Sequence, residues 1–320
     1  MKKIKKIFIT GGSGFIGSHL SEYFFNKYKS AKIVIYDNLT YAARRSYIKK
    51  ILNDKRVNLI KKNICNFNDL LYFSKNSDIL IHSAAESHVD NSFKLSNKFI
   101  QTNILGTKNV LEACYLNKIK NIIHISTDEV YGEIKHGNFN ENNALNPSNP
   151  YSSSKAAAEM LVKGYIHSYK LPIKILRPNN IYGIRQHPEK LISGFCWCIF
   201  KKKKFTLHGE GNQKRTFLHV SDFCRAVDTV IRKGKKFEFY NVGTKEEYKN
   251  KQVLKLICKK QKINYEKFIK KIPDRLFNDC RYSIDFSKLK KIGWLPKKKL
   301  HLSIQEIIDW MSKNHNKFQR

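Results

Sequence analysis

The sequence predicts an α/β protein, a doubly wound parallel sheet followed by a smaller mixed region. Three observations carry this. A glycine-rich turn, Gly11-Gly12-Ser13-Gly14-Phe15-Ile16-Gly17, stands between a short apolar run and a stretch with apolar residues at spacing four. An acid, Asp37, closes the next apolar run about 20 residues beyond the last glycine. Further short apolar runs then recur with helix-length intervals between them, an alternation that implies a parallel sheet.

Residues 7–10 read as the first strand, buried and short. Gly11, Gly14 and Gly17 permit a tight turn, close approach of a pyrophosphate and close helix-to-strand packing. The helix that follows buries Leu20, Phe24 and Tyr28 and offers its unpaired N–H groups to phosphate. The second strand is Ile33-Val34-Ile35-Tyr36. The Asp37 carboxylate at its end would accept hydrogen bonds from ribose hydroxyls and repel a 2′-phosphate, which favours NAD over NADP. Arg44 and Arg45 nearby are the counterweight. Strands follow at residues 57–60, 79–82, 121–125 and 173–176, with a long helix at 97–116 and another starting just after Pro150. Regularity falls after Arg177-Pro178. The expected division is therefore a dinucleotide-binding domain at 1–177 and mainly a substrate-binding domain at 178–320, with some later segments returning to the first. The site should lie in the cleft between them.

Thr127, Asp128 and Glu129 follow the run around Ile122 and Ile123, so they fall at a strand's carboxyl end, where open α/β sheets bind ligands. Adjacent carboxylates can serve as acid and base if their surroundings separate their pKa values. An ordinary polar turn is the plain alternative. Tyr151 and Lys155 decide between them: they stand one helical turn apart on one face. An ammonium beside a phenol favours the phenolate. A phenolate can take a proton from a hydroxyl while hydride leaves for a nicotinamide.

The chain has 320 residues and 41% hydrophobic content, enough for one large core or two packed domains. No apolar run reaches the roughly 18 to 20 residues needed to cross a bilayer. The basic start, Met1-Lys2-Lys3-Ile4-Lys5-Lys6, leads straight into the first strand and the glycine loop, so no targeting segment is expected. Seven cysteines show no framework spacing and read as reduced thiols of a cytoplasmic protein. His82, His88 and His219 have no partner at metal spacing, so no metal is expected. The formal charge of +35 would suit a nucleic-acid partner. The lysines are spread over the whole chain, however, alongside abundant Asn and Ile, which points to compositional bias and not to a binding patch.

The glycine loop together with Tyr151-Ser-Ser-Ser-Lys155 resembles the extended short-chain dehydrogenase/reductases. Within them, four segments are similar to the nucleoside-diphosphate-glucose 4,6-dehydratases. These are Asp37-Asn-Leu-Thr-Tyr-Ala42, His82-Ser-Ala-Ala-Glu-Ser-His-Val-Asp90, Ser126-Thr-Asp-Glu-Val-Tyr-Gly132 and Pro188-Glu-Lys-Leu191. Asp274-Arg275 and Arg281-Tyr282 also fit. The Asp-Glu pair sets this group apart from the superfamily's epimerases.

The resemblance implies a Rossmann domain that keeps NAD bound. Gly11, Gly14 and Gly17 would wrap the pyrophosphate, Asp37 would hold the adenosine ribose, and Phe15, Ile16, Asn38 and Thr40 would also bind the cofactor. Asn63 (usually Asp in the family) and Ile64 would lie by the adenine, with Ala84 and Ala85 flanking the cofactor. Tyr151 would be the base for oxidation at C4, and Lys155 would also hold the nicotinamide ribose. Glu129 would remove the C5 proton, Asp128 would protonate the departing C6 hydroxyl, and Thr127 would bond the sugar near O4. Ser87 and His88 fall in a segment that resembles the sugar pocket. Asn180, Lys190, Arg215, Asn241 and Arg275 match contacts to the sugar diphosphate or nucleoside. Ile181 and Asn278 depart from the bacterial pattern, which bears on the base recognised. The resemblance also implies a homodimer built on the helices at 97–116 and 151–169. The competing readings are a related epimerase or N-acetylated-sugar dehydratase and, of another class, a basic nucleic-acid-binding Rossmann protein.

Overall fold

The computed structural model describes residues 4–274 and 279–318. Its strands are β1 (Lys6–Thr10), β2 (Lys32–Asp37), β3 (Val57–Lys61), β4 (Ile79–His82), β5 (Ile122–Ile125), β6 (Ile173–Pro178), β7 (Asn180–Tyr182), β8 (Phe205–His208), β9 (Lys214–His219), β10 (Phe239–Val242), β11 (Glu247–Lys249) and β12 (Ile269–Ile272). Seven form one sheet in the order β10-β6-β5-β4-β1-β2-β3. Every pairing in it is parallel. The expected doubly wound sheet is therefore present. Its strand order reverses between β1 and β4, and a crevice opens there at the strands' carboxyl ends.

Both faces of this sheet are covered, which is why its strands are almost continuously apolar. Ile7, Ile9, Ile33 and Ile35 face Leu20 and Phe24 of the helix Phe15–Lys27. The alternate residues Phe8, Val34 and Leu80 face Val110 and Val162 on the other side. The chain beyond Pro178 contributes to two cores. β10 pairs with β6, and Phe223, Val227 and Val230 of the helix Val220–Lys233 join the first core. A separate core gathers Phe195, Phe205, Leu254 and Ile304 around β8, a two-stranded β12-β8 sheet and a three-stranded β11-β9-β7 sheet.

Two helices frame the crevice. Pro150–Tyr169 starts with proline at its first position. Asn149 caps it: its Oδ1 accepts from the Ser152 N–H at 2.9 Å, while the Asn149 N–H donates to the Ser152 hydroxyl at 3.2 Å. The segment expected as one long helix at 97–116 differs. It runs Ser96–Phe99, widens into a π-helical turn at Ile100–Leu105, and continues as Gly106–Leu116. Such turns insert a residue to re-aim side chains. Here Asn103 is turned inward, where its Nδ2 donates to the Glu86 carbonyl at 3.0 Å and the Ser154 hydroxyl at 2.9 Å.

Candidate active site

A cleft of about 550 Å³ lies at the reversal point of the sheet. Its walls carry Gly11, Gly14, Phe15, Ile16, Gly17, Asp37, Asn38, Thr40, Asn63, Ile64, Ala84 and Ala85, with Tyr151 and Lys155 at one end. The glycine turn fits a pyrophosphate for a local reason. A Cβ on Gly17 would sit 2.0 Å from the Gly11 carbonyl oxygen, so only glycine lets the helix start this close to β1. No side chain caps the start of Phe15–Lys27 and its first turn carries no acid, which leaves its N–H groups free for an anion. Asp37 is buried at the end of β2 and accepts from the Ser13 N–H at 2.8 Å and the Leu39 N–H at 2.7 Å. Burial raises its pKa against those hydrogen bonds. The residues present therefore fit a dinucleotide.

A second cavity of about 180 Å³ adjoins the first, and Glu189 and Lys190 line both. His88, Glu129, Asn149, Asn180, Arg215, Asp279 and Tyr282 line the second. Ser87 lines the first, and its carbonyl accepts from the Lys190 ammonium at 2.5 Å. Arg215 stacks over the Tyr282 ring at 4.4 Å and donates to the Asp279 carbonyl at 2.9 Å.

The strand-end carboxylates follow β5, whose last residue, Ile125, lines the first cavity. After β5 the chain enters a single 3₁₀ turn, Asp128–Tyr131, capped by the Thr127 hydroxyl, which accepts from the Glu129 N–H at 3.3 Å. Glu129 lines the second cavity. Tyr151 and Lys155 line the first. Thr127 and Asp128 are buried on neither wall, yet Thr127 and the charges of Glu129 and Asp128 act on the Tyr151 phenol.

Burial pushes the Asp128 carboxyl up to about 7, against a hydrogen bond from Asn179. Burial also raises Glu129, while Lys190 and Arg215 hold it down. Asp128 is thus half-protonated near neutrality, while Lys190 and Arg215 favour the ionised form of Glu129 against its burial.

Three sequence-based expectations need correction or qualification. First, Lys155 does not lower the Tyr151 phenol here. Its ammonium donates to the Ile125 carbonyl at 2.7 Å, and burial followed by the Glu129 charge raises the phenol. Burial brings Lys155 itself down to about 8. Second, Asn241 does not reach either cavity. It is fully buried on β10, its Oδ1 accepts from the Tyr131 phenol at 2.8 Å, and its Nδ2 donates to the Phe139 and Asp285 carbonyls. Its bonding capacity is spent within the fold. Third, Arg275 and Asn278 lie outside the described residues.

His82 is buried and bonded on both ring nitrogens, to Thr10 at 2.8 Å and Thr107 at 3.0 Å. His219 bonds Ser221 at 2.7 Å and also meets Glu306. Among the described residues no group of three or more His, Cys, Asp or Glu could hold a metal ion, and no helix is long and apolar enough to cross a membrane. Asn149, Asn179 and Asp279 went unremarked in the sequence. A signal existed for Asn179, the first of two asparagines at a strand end.

Residues 8–307 match the family model described as GDP-mannose 4,6 dehydratase. A dTDP-D-glucose 4,6-dehydratase of Dictyostelium discoideum is 39% identical over 98% of this chain and 83% of that protein. The Homo sapiens protein of the same name is 37% identical, over 98% of this chain and 91% of its own length. An Arabidopsis thaliana trifunctional protein that includes UDP-glucose 4,6-dehydratase in its name is 39% identical over 97% of this chain and 47% of that protein. Among solved structures, a dTDP-glucose 4,6-dehydratase from Streptomyces venezuelae with NAD and TYD bound superposes with a TM-score of 0.95 at 31% identity. It covers 98% of this chain and 99% of that one. One from Bacillus anthracis with NAD gives a TM-score of 0.89 at 36% identity, over 98% of both chains.

Proposed function

Because this chain belongs to the GDP-mannose 4,6-dehydratase family, and within it to the nucleoside-diphosphate-glucose 4,6-dehydratases of the short-chain dehydrogenase/reductase superfamily, we propose the following division of labour for its residues. The substrate is a nucleoside-diphosphate glucose, and the product is its 4-keto-6-deoxy derivative. NAD would supply the acceptor for the C4 hydride and the donor of that hydride to C6. Gly11, Gly14, Phe15, Ile16, Gly17, Asp37, Asn38, Thr40, Asn63, Ile64, Ala84 and Ala85 hold it in the larger cleft.

Tyr151 takes the C4 hydroxyl proton, with Lys155 beside it in the cleft and Thr127 favouring the phenolate. The C4 ketone acidifies C5–H. Glu129 removes that proton, and Asp128 gives its own to the C6 hydroxyl, which leaves as water. Glu129 then returns its proton to C5. Ser87, His88, Asn180, Lys190 and Arg215 surround the sugar diphosphate and nucleoside in and beside the second cavity. We read the second core beyond Pro178 as the unit that grips the nucleotide.

The observation that carries this reading is the grouping: two carboxylates whose pKa values are raised by burial act on a phenol at one end of the dinucleotide cleft, beside a second cavity that Lys190 and Arg215 line. Elimination needs Asp128 protonated and Glu129 ionised. The rate should therefore fall as pH rises through about 7, where Asp128 ionises. It should also fall as pH drops through a Glu129 value lying above the ordinary glutamate range. Incubation with UDP-glucose and dTDP-glucose in parallel should yield the alkali-absorbing 4-keto sugar from at least one. Turnover of neither, or C4 epimerisation without loss of the C6 oxygen, contradicts the assignment.

All seven cysteines are free, which supports a reducing, cytoplasmic setting. A homodimer is also proposed. Ile100, Leu105, Leu116, Met160 and Tyr169 are exposed on the two helices that frame the crevice, and those helices pack against each other. Exposed apolar side chains on two packed helices fit a second copy forming a four-helix bundle. Sedimentation equilibrium should return twice the chain mass; a single-chain mass at micromolar protein removes the dimer.

A further inference from the structure

The two oxygens of the Asp128 carboxyl are held differently. Oδ2 accepts from the Asn179 Nδ2 at 2.8 Å, whereas Oδ1 faces the Thr127 hydroxyl at 3.4 Å. Asn179 is 2% exposed and sits between the ends of β6 and β7. Its backbone N–H donates to the Val242 carbonyl at 3.0 Å, and its Oδ1 accepts from the Thr244 N–H at 3.2 Å. A backbone N–H can only donate, so the group facing Thr244 is the amide oxygen and the group facing Asp128 is the NH₂. The amide is also walled in. A Cβ on Gly243 would lie 2.7 Å from the Asn179 Oδ1.

We infer that Asn179 is the positioning residue of the acid: by donating to Oδ2 it confines the transferable proton of Asp128 to Oδ1. This rests on the reading of Asp128 as the acid. Two hydrogens cannot share the Asn179–Asp128 contact, so a neutral Asp128 carries its O–H on the other oxygen. That oxygen faces Thr127, whose hydroxyl also acts on the Tyr151 phenol. Thr127 thus stands on the route by which the proton removed from the C4 hydroxyl returns to Asp128 after water has left. Glu129 returns its own proton to C5, so no other donor is needed. Once Asp128 has ionised, the same Asn179 bond stabilises its carboxylate.

The test uses the NAD-loaded enzyme with Asn179→Asp and Asn179→Leu, and Asp128→Asn in parallel. Asn179→Asp keeps the acceptor for Thr244 and sets a second carboxyl against Asp128 in place of the NH₂ donor, whereas Asn179→Leu removes donor and acceptor without adding a charge, so the pair separates the hydrogen bond from folding. In single-turnover experiments with nucleoside-diphosphate glucose, C4 oxidation should stay within a few-fold of wild type. Water loss should slow by about 10²-fold, as expected for a misdirected reacting group. The alkaline limb of the water-loss rate should move to higher pH, because the bond that favours the Asp128 carboxylate is gone. If oxidation and water loss fall together, with a lower unfolding temperature and an unmoved limb, Asn179 is merely structural and the inference is overturned. Wild-type behaviour of Asn179→Asp overturns it too. Normal turnover by Asp128→Asn would instead remove the acid assignment itself, which separates the two failures.

Discussion

Replacing Tyr151 with Phe should slow C4 oxidation by about 10²- to 10⁴-fold, the range a positioned proton acceptor contributes. The ring should stay where it is. It packs edge-on against Phe99 with centroids 6.3 Å apart and is almost fully buried. Only the phenol's interaction with Thr127 is lost. Substrate and dinucleotide affinity should therefore change little, and the defect should appear in the first half-reaction, as a missing rise in reduced-nicotinamide absorbance after mixing. Turnover within tenfold of wild type would show that another group takes the C4 proton.

Arg177→Leu should destabilise the fold by about 3–5 kcal/mol, the cost of leaving a buried charge unpaired. Arg177 and Glu159 are essentially inaccessible. The guanidinium donates to both Glu159 oxygens at 2.5 to 3.1 Å and to the Tyr131 phenol at 2.6 Å. Tyr131 ends the 3₁₀ turn that begins at Asp128. The pair therefore ties the carboxylate turn to β6 and to the Tyr151 helix. Chemical denaturation should show the loss, and the double variant Arg177→Met, Glu159→Met should recover much of it, because well-packed apolar groups remove both charges together. If the single variant is as stable as wild type, the buried pair does not hold the turn.

The parts of this architecture that were legible in the sequence are those set by local chemistry. The spacing of Gly11, Gly14 and Gly17 reports a backbone approach that a Cβ would block, and Asp37 reports a strand end. The four-residue step from Tyr151 to Lys155 needs only a helix. What escaped depends on partners distant in sequence. Asn241 looks like a contact residue, but β10 lies at the edge of the main sheet and seals its amide against Tyr131, Phe139 and Asp285. The π turn at Ile100–Leu105 arises where Asn103 is needed against Glu86 and Ser154, neither of which is a sequence neighbour. Lys155 was placed correctly on its helix, but the partner its ammonium takes, the Ile125 carbonyl, comes from another strand. Asn179 needed both Asp128 and Thr244 in view before its orientation had meaning.

The central claim is that oxidation and water loss belong to different side chains at one site. Single-turnover mixing of NAD-loaded Asp128→Asn with nucleoside-diphosphate glucose tests it directly. Reduced-nicotinamide absorbance should rise at close to the wild-type rate and then persist, because the ketone forms and the C6 hydroxyl finds no acid. Decay of that absorbance at the wild-type rate, with the 6-deoxy product released, would contradict the account.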